Sequence, residues 1–317
     1  MFDKKELLDD LYEYWLLACQ DIEKIKLWLP HLQVYDKIDN VYENHYDKFC
    51  KINLSSKEIV EILFSFFKNY TDKQTFELFK KIYKENKQNI GFMNFAFYNS
   101  LGDSFVNPEN HEVHIAVYRT NYFNCISSAA HEFGHVIQAF ENMNIVTINK
   151  HDSFVEIFST FMEFLCVEFL YENIYPDKAL NNFCYILDHR INEAQCMNKL
   201  TLFYHLKNNE NVDIKKLIYK HGNNLSNAQI DKLIDETIAI QYKYIIGVLV
   251  AAKLFMLYKK DPEQTFNLIH QFNKIDYMLS EEDYFQKAKE LGIIDSNGLK
   301  EFNDLILARK FGGNNGR

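Results

Sequence analysis

The run His131-Glu132-Phe133-Gly134-His135 constrains this chain more than any other stretch. Its flanks, Ile126, Ala129, Ala130, Ile137 and Phe140, are apolar at helical spacing, which predicts a core-facing helix over 122–142. On a helix, side chains four apart share a face, one turn above the other. His131 and His135 are therefore aimed at one point, where two neutral imidazoles can hold a zinc ion, with Glu132 close enough to reach a water there. Burying two His and a Glu without a metal or other partners is costly, which weakens the alternative of a merely hydrogen-bonded core helix.

A catalytic zinc site needs a third protein ligand and an open position. Glu156 stands 21 residues beyond His135, enough for the first helix to end near Asn142 and a second, over 152–173, to pack back. Ser153-x-x-Glu156 is also a capping box, which would commit the same carboxylate to the helix's own N-terminus. The apolar positions Phe154, Ile157, Phe158, Phe161 and Leu165 favour the buried ligand. Glu163, two turns further along, is the rival ligand and is assigned instead to accept a hydrogen bond from a ligand imidazole, with Asp152 a weaker candidate for that supporting role. Zinc lowers the pKa of water towards about 7 and polarises a carbonyl. Glu132 is then the expected general base, passing its proton to the leaving amine. Tyr242 and Tyr244 are the conspicuous hydroxyls for the oxyanion, although most of the 20 Tyr must serve packing.

Only 10 Gly and 4 Pro in 317 residues argue for a mainly α fold. Apolar periodicity places one or two helices over 5–30, stopping near Pro30, then others starting at Ser55 and over 71–86. After the metal helix, helical segments continue over 152–173, 177–206, 212–221, 226–258, 262–272, 280–291 and 298–309. Ile90 to Tyr98 and Val113 to Tyr118 read as two strands around a turn-rich stretch, Asn99 to Asn110, forming a small β-sheet before the zinc helix. His111 and His114, three apart at the start of the second strand, point opposite ways and chelate poorly. With no repeat or Gly/Ser linker, residues 1–310 are expected to form a single catalytic domain and 311–317 a flexible tail.

A formal net charge of −9 argues against nucleic-acid or anionic-membrane partners held by bulk electrostatics. The start lacks an apolar signal core, and the longest apolar run, Tyr244 to Tyr258, is broken by Lys253 and too short to span a bilayer. The six Cys form no Cys-x-x-Cys pair and read as reduced thiols of a cytoplasmic protein, Cys125 among them as a core residue.

Ala130 to His135, followed by Phe154-Val155-Glu156-Ile157-Phe158-Ser159-Thr160-Phe161-Met162-Glu163, resembles the thimet oligopeptidase and oligoendopeptidase F family of zinc metallopeptidases. The Gly inside the zinc motif and the Glu-x-x-Ser-Thr-x-x-Glu run carry the resemblance. Tyr242-Lys243-Tyr244-Ile245-Ile246-Gly247 is similar to the stretch bearing that family's substrate-binding tyrosines, and the likeness extends over roughly 30–310. It implies a zincin-like helical domain, one Zn2+ per chain on His131, His135 and Glu156, Glu132 as base, and oligopeptide substrates met by Tyr242 and Tyr244. The chain departs from the family in four respects. The resemblance covers only the family's catalytic half, so the chain is expected to lack the N-terminal lobe that closes over substrate, and a partner protein supplying that lobe is one expectation. Gln138 stands where the family commonly has His, Leu233–Ile234 where a substrate-contacting His belongs, and Ile240 where a Tyr precedes the pair. These losses leave a second reading beside the zinc endopeptidase: a catalytically inactive zinc-containing module that binds peptides or other partners.

Overall fold

The computed structural model describes the chain except residues 1–2, 43–45, 48–49, 95–100, 108, 143–151, 211–212, 239–240, 277 and 313–317; within helices the side chains of 152, 202–210, 214, 217, 235–236 and 238 are also outside the description. Side-chain caps start several helices. Asp3 and Glu6 form a capping box for α1 (Lys4–Lys24), Ser55 and Glu58 one for α3 (Ser56–Tyr70), and Asp72 caps α4 (Lys73–Asn86). Between them, Pro30 does not end a helix. It sits in the first turn of the short α2 (Leu29–Leu32), where its missing N–H costs nothing.

Three strands follow: β1 (Ile90–Phe92), β2 (Gly102–Val106) and β3 (Val113–Val117). β3 lies in the middle, parallel to β1 and antiparallel to β2, with Ser104 opposite Ile115. β2 occupies the stretch that composition reads as turn, and part of the first expected strand, 95–98, lies outside the described residues. Gly, Asp and Ser are poor strand formers alone; pairing along all of β3 overrides that preference. Val113, Ile115 and Val117 alternate inward while His114 is exposed.

The remaining helices are α5 (Asn124–Glu141), α6 (Asp152–Asn173), α7 (Pro176–Glu210), α8 (Ile214–Gly222), α9 (Asn227–Ile238), α10 (Tyr242–Tyr258), α11 (Pro262–Asn273), α12 (Glu281–Glu290) and α13 (Asn297–Phe311). The expected 226–258 segment is two helices. α9 presents an amphipathic face to α1, with Ile230 and Ile234 against Leu7 and Leu8. α10 is apolar almost all round and buried from Ile245 to Phe255 apart from Lys253. The two need different directions, and Gln241 leaves helical geometry with φ −118° and ψ 83°.

α6 runs through the middle and packs against both α5 and α10. Phe154, Phe158, Phe161, Phe164 and Leu165 are fully buried along it. Both neighbours come close through glycine. A Cβ on Gly134 of α5 would lie 2.8 Å from Ser159 Cα, and one on Gly247 of α10 would lie 2.9 Å from Glu156 Cβ. Aromatic stacking fills much of the rest; Phe67 and Phe79 stack at 4.0 Å between ring centres, and Phe133 meets Phe79 edge-on at 4.9 Å. A fully buried Glu168 is satisfied by two hydrogen bonds from Arg309, at 2.6 and 2.9 Å, and one from Lys259 at 2.8 Å, which ties α6 to α13 and to the end of α10. The helix α13 runs to Phe311, one residue into the expected tail, and 313–317 lie outside the description. No helix among the described residues is long and apolar enough to cross a membrane.

Candidate metal centre

The helical spacing in α5 delivers its two imidazoles to one point, and the Gly134 crossing lets α6 bring in a carboxylate. His131 Nε2 lies 3.1 Å from Glu156 Oε2 and 3.1 Å from His135 Nε2, and His135 Nε2 lies 3.2 Å from Glu156 Oε2. Among the described residues, these three form a group able to hold a metal ion. Ligands about 2.0–2.1 Å from a tetrahedral zinc stand about 3.3–3.4 Å apart, close to the edges of this triangle. Burial pulls the His131 imidazolium down, but its hydrogen bond to Glu156 and the negative charges of Glu156 and Glu163 outweigh it and raise it to about 10. Burial likewise opposes charge on Glu156, and the charges and hydrogen bonds of His135 and His131 hold that carboxyl well below the usual range. A pocket that holds a proton this firmly between nitrogen and carboxylate oxygen suits a metal cation in its place.

The capping box over 153–156 does not form. Ser153 Oγ donates to Glu281 Oε1 at 3.2 Å, and both Glu156 oxygens face other partners: Oε2 the imidazoles, Oε1 the Lys243 ammonium at 2.9 Å. Glu163 Oε2 stands 3.4 Å from His131 Nδ1, an ionic contact outside hydrogen-bond geometry, on the side of the ring away from the metal point. The Asp152 side chain lies outside the described residues. Cys125 is buried with Sγ 3.6 Å from Thr120 O, its thiol pushed up to about 12 by burial. His111 and His114 are both exposed.

Glu132 is buried beside the triangle, and Ser104 of β2 donates to its Oε2 at 2.6 Å. Gly102 makes room for it: a Cβ there would lie 2.8 Å from Glu132 Oε1. Neither β2 residue was predicted to reach the site, because the partnership exists only once β2 pairs with β3 and lies against α5. Bonds from Tyr118 N to Leu101 O and from Asn107 N to Glu112 O put the odd residues of β2 in register with β3. By the alternation of an antiparallel ladder, Ser104 and Val106 turn their backbone groups away from β3, to the edge of β2 that no described strand covers. That edge borders a cleft of about 240 Å3 whose floor carries His131, Glu132, His135 and Glu156.

Tyr244 lines the same cleft, its ring centre 6.4 Å from that of His131. Burial, aided by the Glu156 charge, pushes its phenol up to about 12. Arg190 of α7 stands over its ring at 4.7 Å and Lys243 at 4.8 Å. Tyr242 is not brought there. Residues two apart on a helix point about 200° apart, and Tyr242 instead lines a separate cavity of about 200 Å3 with Tyr14, Ile22 and Met197.

No family model and no curated protein matches the sequence. Solved structures do match the fold. A protein from Chlamydophila abortus named a peptidase aligns with a TM-score of 0.62 and 12% identity over 95% of this chain and 55% of that one. A protein from Bacillus anthracis named an oligoendopeptidase F aligns with a TM-score of 0.56 and 12% identity over 96% and 56%. PZ peptidase A, solved with an inhibitor, aligns with a TM-score of 0.57 and 12% identity over 94% and 59%. The chain thus spans little more than half the length of these structures, and over nearly all of its own length it shares their mainly helical fold.

Proposed function

We propose that this protein is a zinc-dependent endopeptidase acting on short or unstructured peptides. The observation that carries the reading is the triangle of His131, His135 and Glu156 with Glu132 beside it on the floor of one cleft. A bound zinc ion supplies Lewis acidity, making water a nucleophile at neutral pH and polarising a carbonyl. Glu132, steadied by Ser104, takes a proton from the attacking water and hands it to the leaving amine. Tyr244, with a phenol at about 12, stays protonated at neutral pH and donates to the developing oxyanion. The edge of β2 that faces away from β3, uncovered by any described strand, can pair with an extended substrate backbone, which favours unfolded chains over compact ones. Peptidase-named structures of the same fold add support.

The test uses quenched peptides of mixed sequence, graded by length, with zinc-loaded wild type and Glu132→Gln. The variant should keep its metal and lose at least about 100-fold in hydrolysis. Undiminished hydrolysis by Glu132→Gln would refute the assigned base. A second reading, a zinc-containing peptide-binding module, is favoured by one observation. Ile234, near the place of the missing recognition His, is buried against Leu7, Leu8 and Ile230 and presents no polar group. One bound zinc per chain with no cleavage of any peptide would support it.

A further inference from the structure

Lys243 belongs to neither the imidazole pair nor the base, yet its ammonium makes an ion pair with the triangle. Its Nζ lies 2.9 Å from Glu156 Oε1, and the Glu156 side chain is only 2% exposed. The same face of α10 meets Glu156 twice. Gly247, one turn beyond Lys243, accepts the Glu156 backbone at a distance no Cβ would tolerate. The helix therefore seats the backbone of Glu156 with Gly247 and grips its carboxylate with Lys243, one turn earlier.

Resting on the metal reading above, we propose that Lys243 is a positioning residue that makes Glu156 a one-oxygen ligand. With Oε1 committed to the ammonium, only Oε2 faces the two imidazoles, which leaves the metal's remaining position for water or substrate. A carboxylate released from Lys243 can turn and offer both oxygens, closing that position. Lys243 also lies over the Tyr244 ring, so the grip on Glu156 and the placement of Tyr244 share one side chain. On the far side of this chain of contacts, Arg190 over the same ring is held by Glu193.

Cobalt(II) replaces zinc as a spectroscopic probe of coordination number. Wild type, Lys243→Met, Lys243→Arg and His135→Ala are titrated with cobalt and competed with a chelator, and the folded state of each metal-free variant is checked by its melting temperature. Wild type should bind one cobalt with the strong visible absorption of a four-coordinate site, and His135→Ala should not. Lys243→Met should bind about tenfold more weakly, with a weaker band of higher coordination, while Lys243→Arg keeps the wild-type spectrum. Wild-type affinity and spectrum in Lys243→Met would overturn the inference and leave the metal reading standing. Absence of cobalt binding by wild type would overturn the metal reading and this inference with it.

Discussion

Replacing Gly134 by Ala probes how the fold builds the triangle without touching a ligand. The added Cβ would sit 2.8 Å from Ser159 Cα and 3.3 Å from Met162 Cβ. Carbon atoms prefer about 3.5–4.0 Å, so α5 and α6 must part locally by about 0.7 Å or more. Ser159 is one turn from Glu156, and the shift reaches the carboxylate almost undiminished. Edges now at 3.1 and 3.2 Å would approach 4 Å, beyond the roughly 3.4 Å that three ligands of one tetrahedral zinc allow. Overpacking costs about 1–3 kcal/mol, and the better helix propensity of Ala offsets about 1 kcal/mol of it. For a chain of this length the net loss lowers Tm by no more than about 4 °C. Zinc affinity should fall by about 10–100-fold, measured by chelator competition alongside thermal unfolding of the metal-free protein. A Gly134→Ala variant that bound zinc as tightly as wild type would show that the helix crossing does not set the ligand geometry.

Two further predictions concern stability. Burial pulls His270 down, but Asp72 at 3.0 Å and Glu141 at 2.6 Å raise it to about 9; its folded value lies above the unfolded one, so its contribution, at most about 3 kcal/mol, is full below about pH 6.5 and lost as pH rises through 9. Urea unfolding from pH 6.5 to 9.5 should therefore steepen in wild type relative to His270→Gln, and parallel curves would contradict this. Arg309→Leu should cost about 3 kcal/mol, because the fully buried Glu168 loses two of its charge-assisted hydrogen bonds and keeps that from Lys259; adding Glu168→Gln should recover part of that loss, and a double variant no more stable than the single one would mean the cost lies in packing.

Much of the site was legible because it depends on local spacing. His131 and His135 share a face by helical periodicity alone, and the apolar run around Glu156 marks a helix buried deeply enough to return against the first. The choice between capping and facing the imidazoles was open in the sequence, since both uses fit the same four residues. Which oxygen faced what depended on Lys243, some ninety residues away, and on Gly134 and Gly247 allowing three helices to touch. Ser104 was hidden for a related reason. A Gly-Asp-Ser stretch has turn character until a partner strand supplies its hydrogen bonds, and only then does its edge meet Glu132. Two tyrosines in one short motif looked equivalent, and the rotation per residue of α10 sent one into the cleft and the other to a different cavity. Periodicity within a segment thus determined the imidazole pair, the helical class and the metal chemistry they suit. Contacts between segments distant in the chain decided the orientation of Glu156, the support of Glu132 and which face of α10 meets the cleft, because hydrogen-bond partners and close helix crossings exist only after those segments meet.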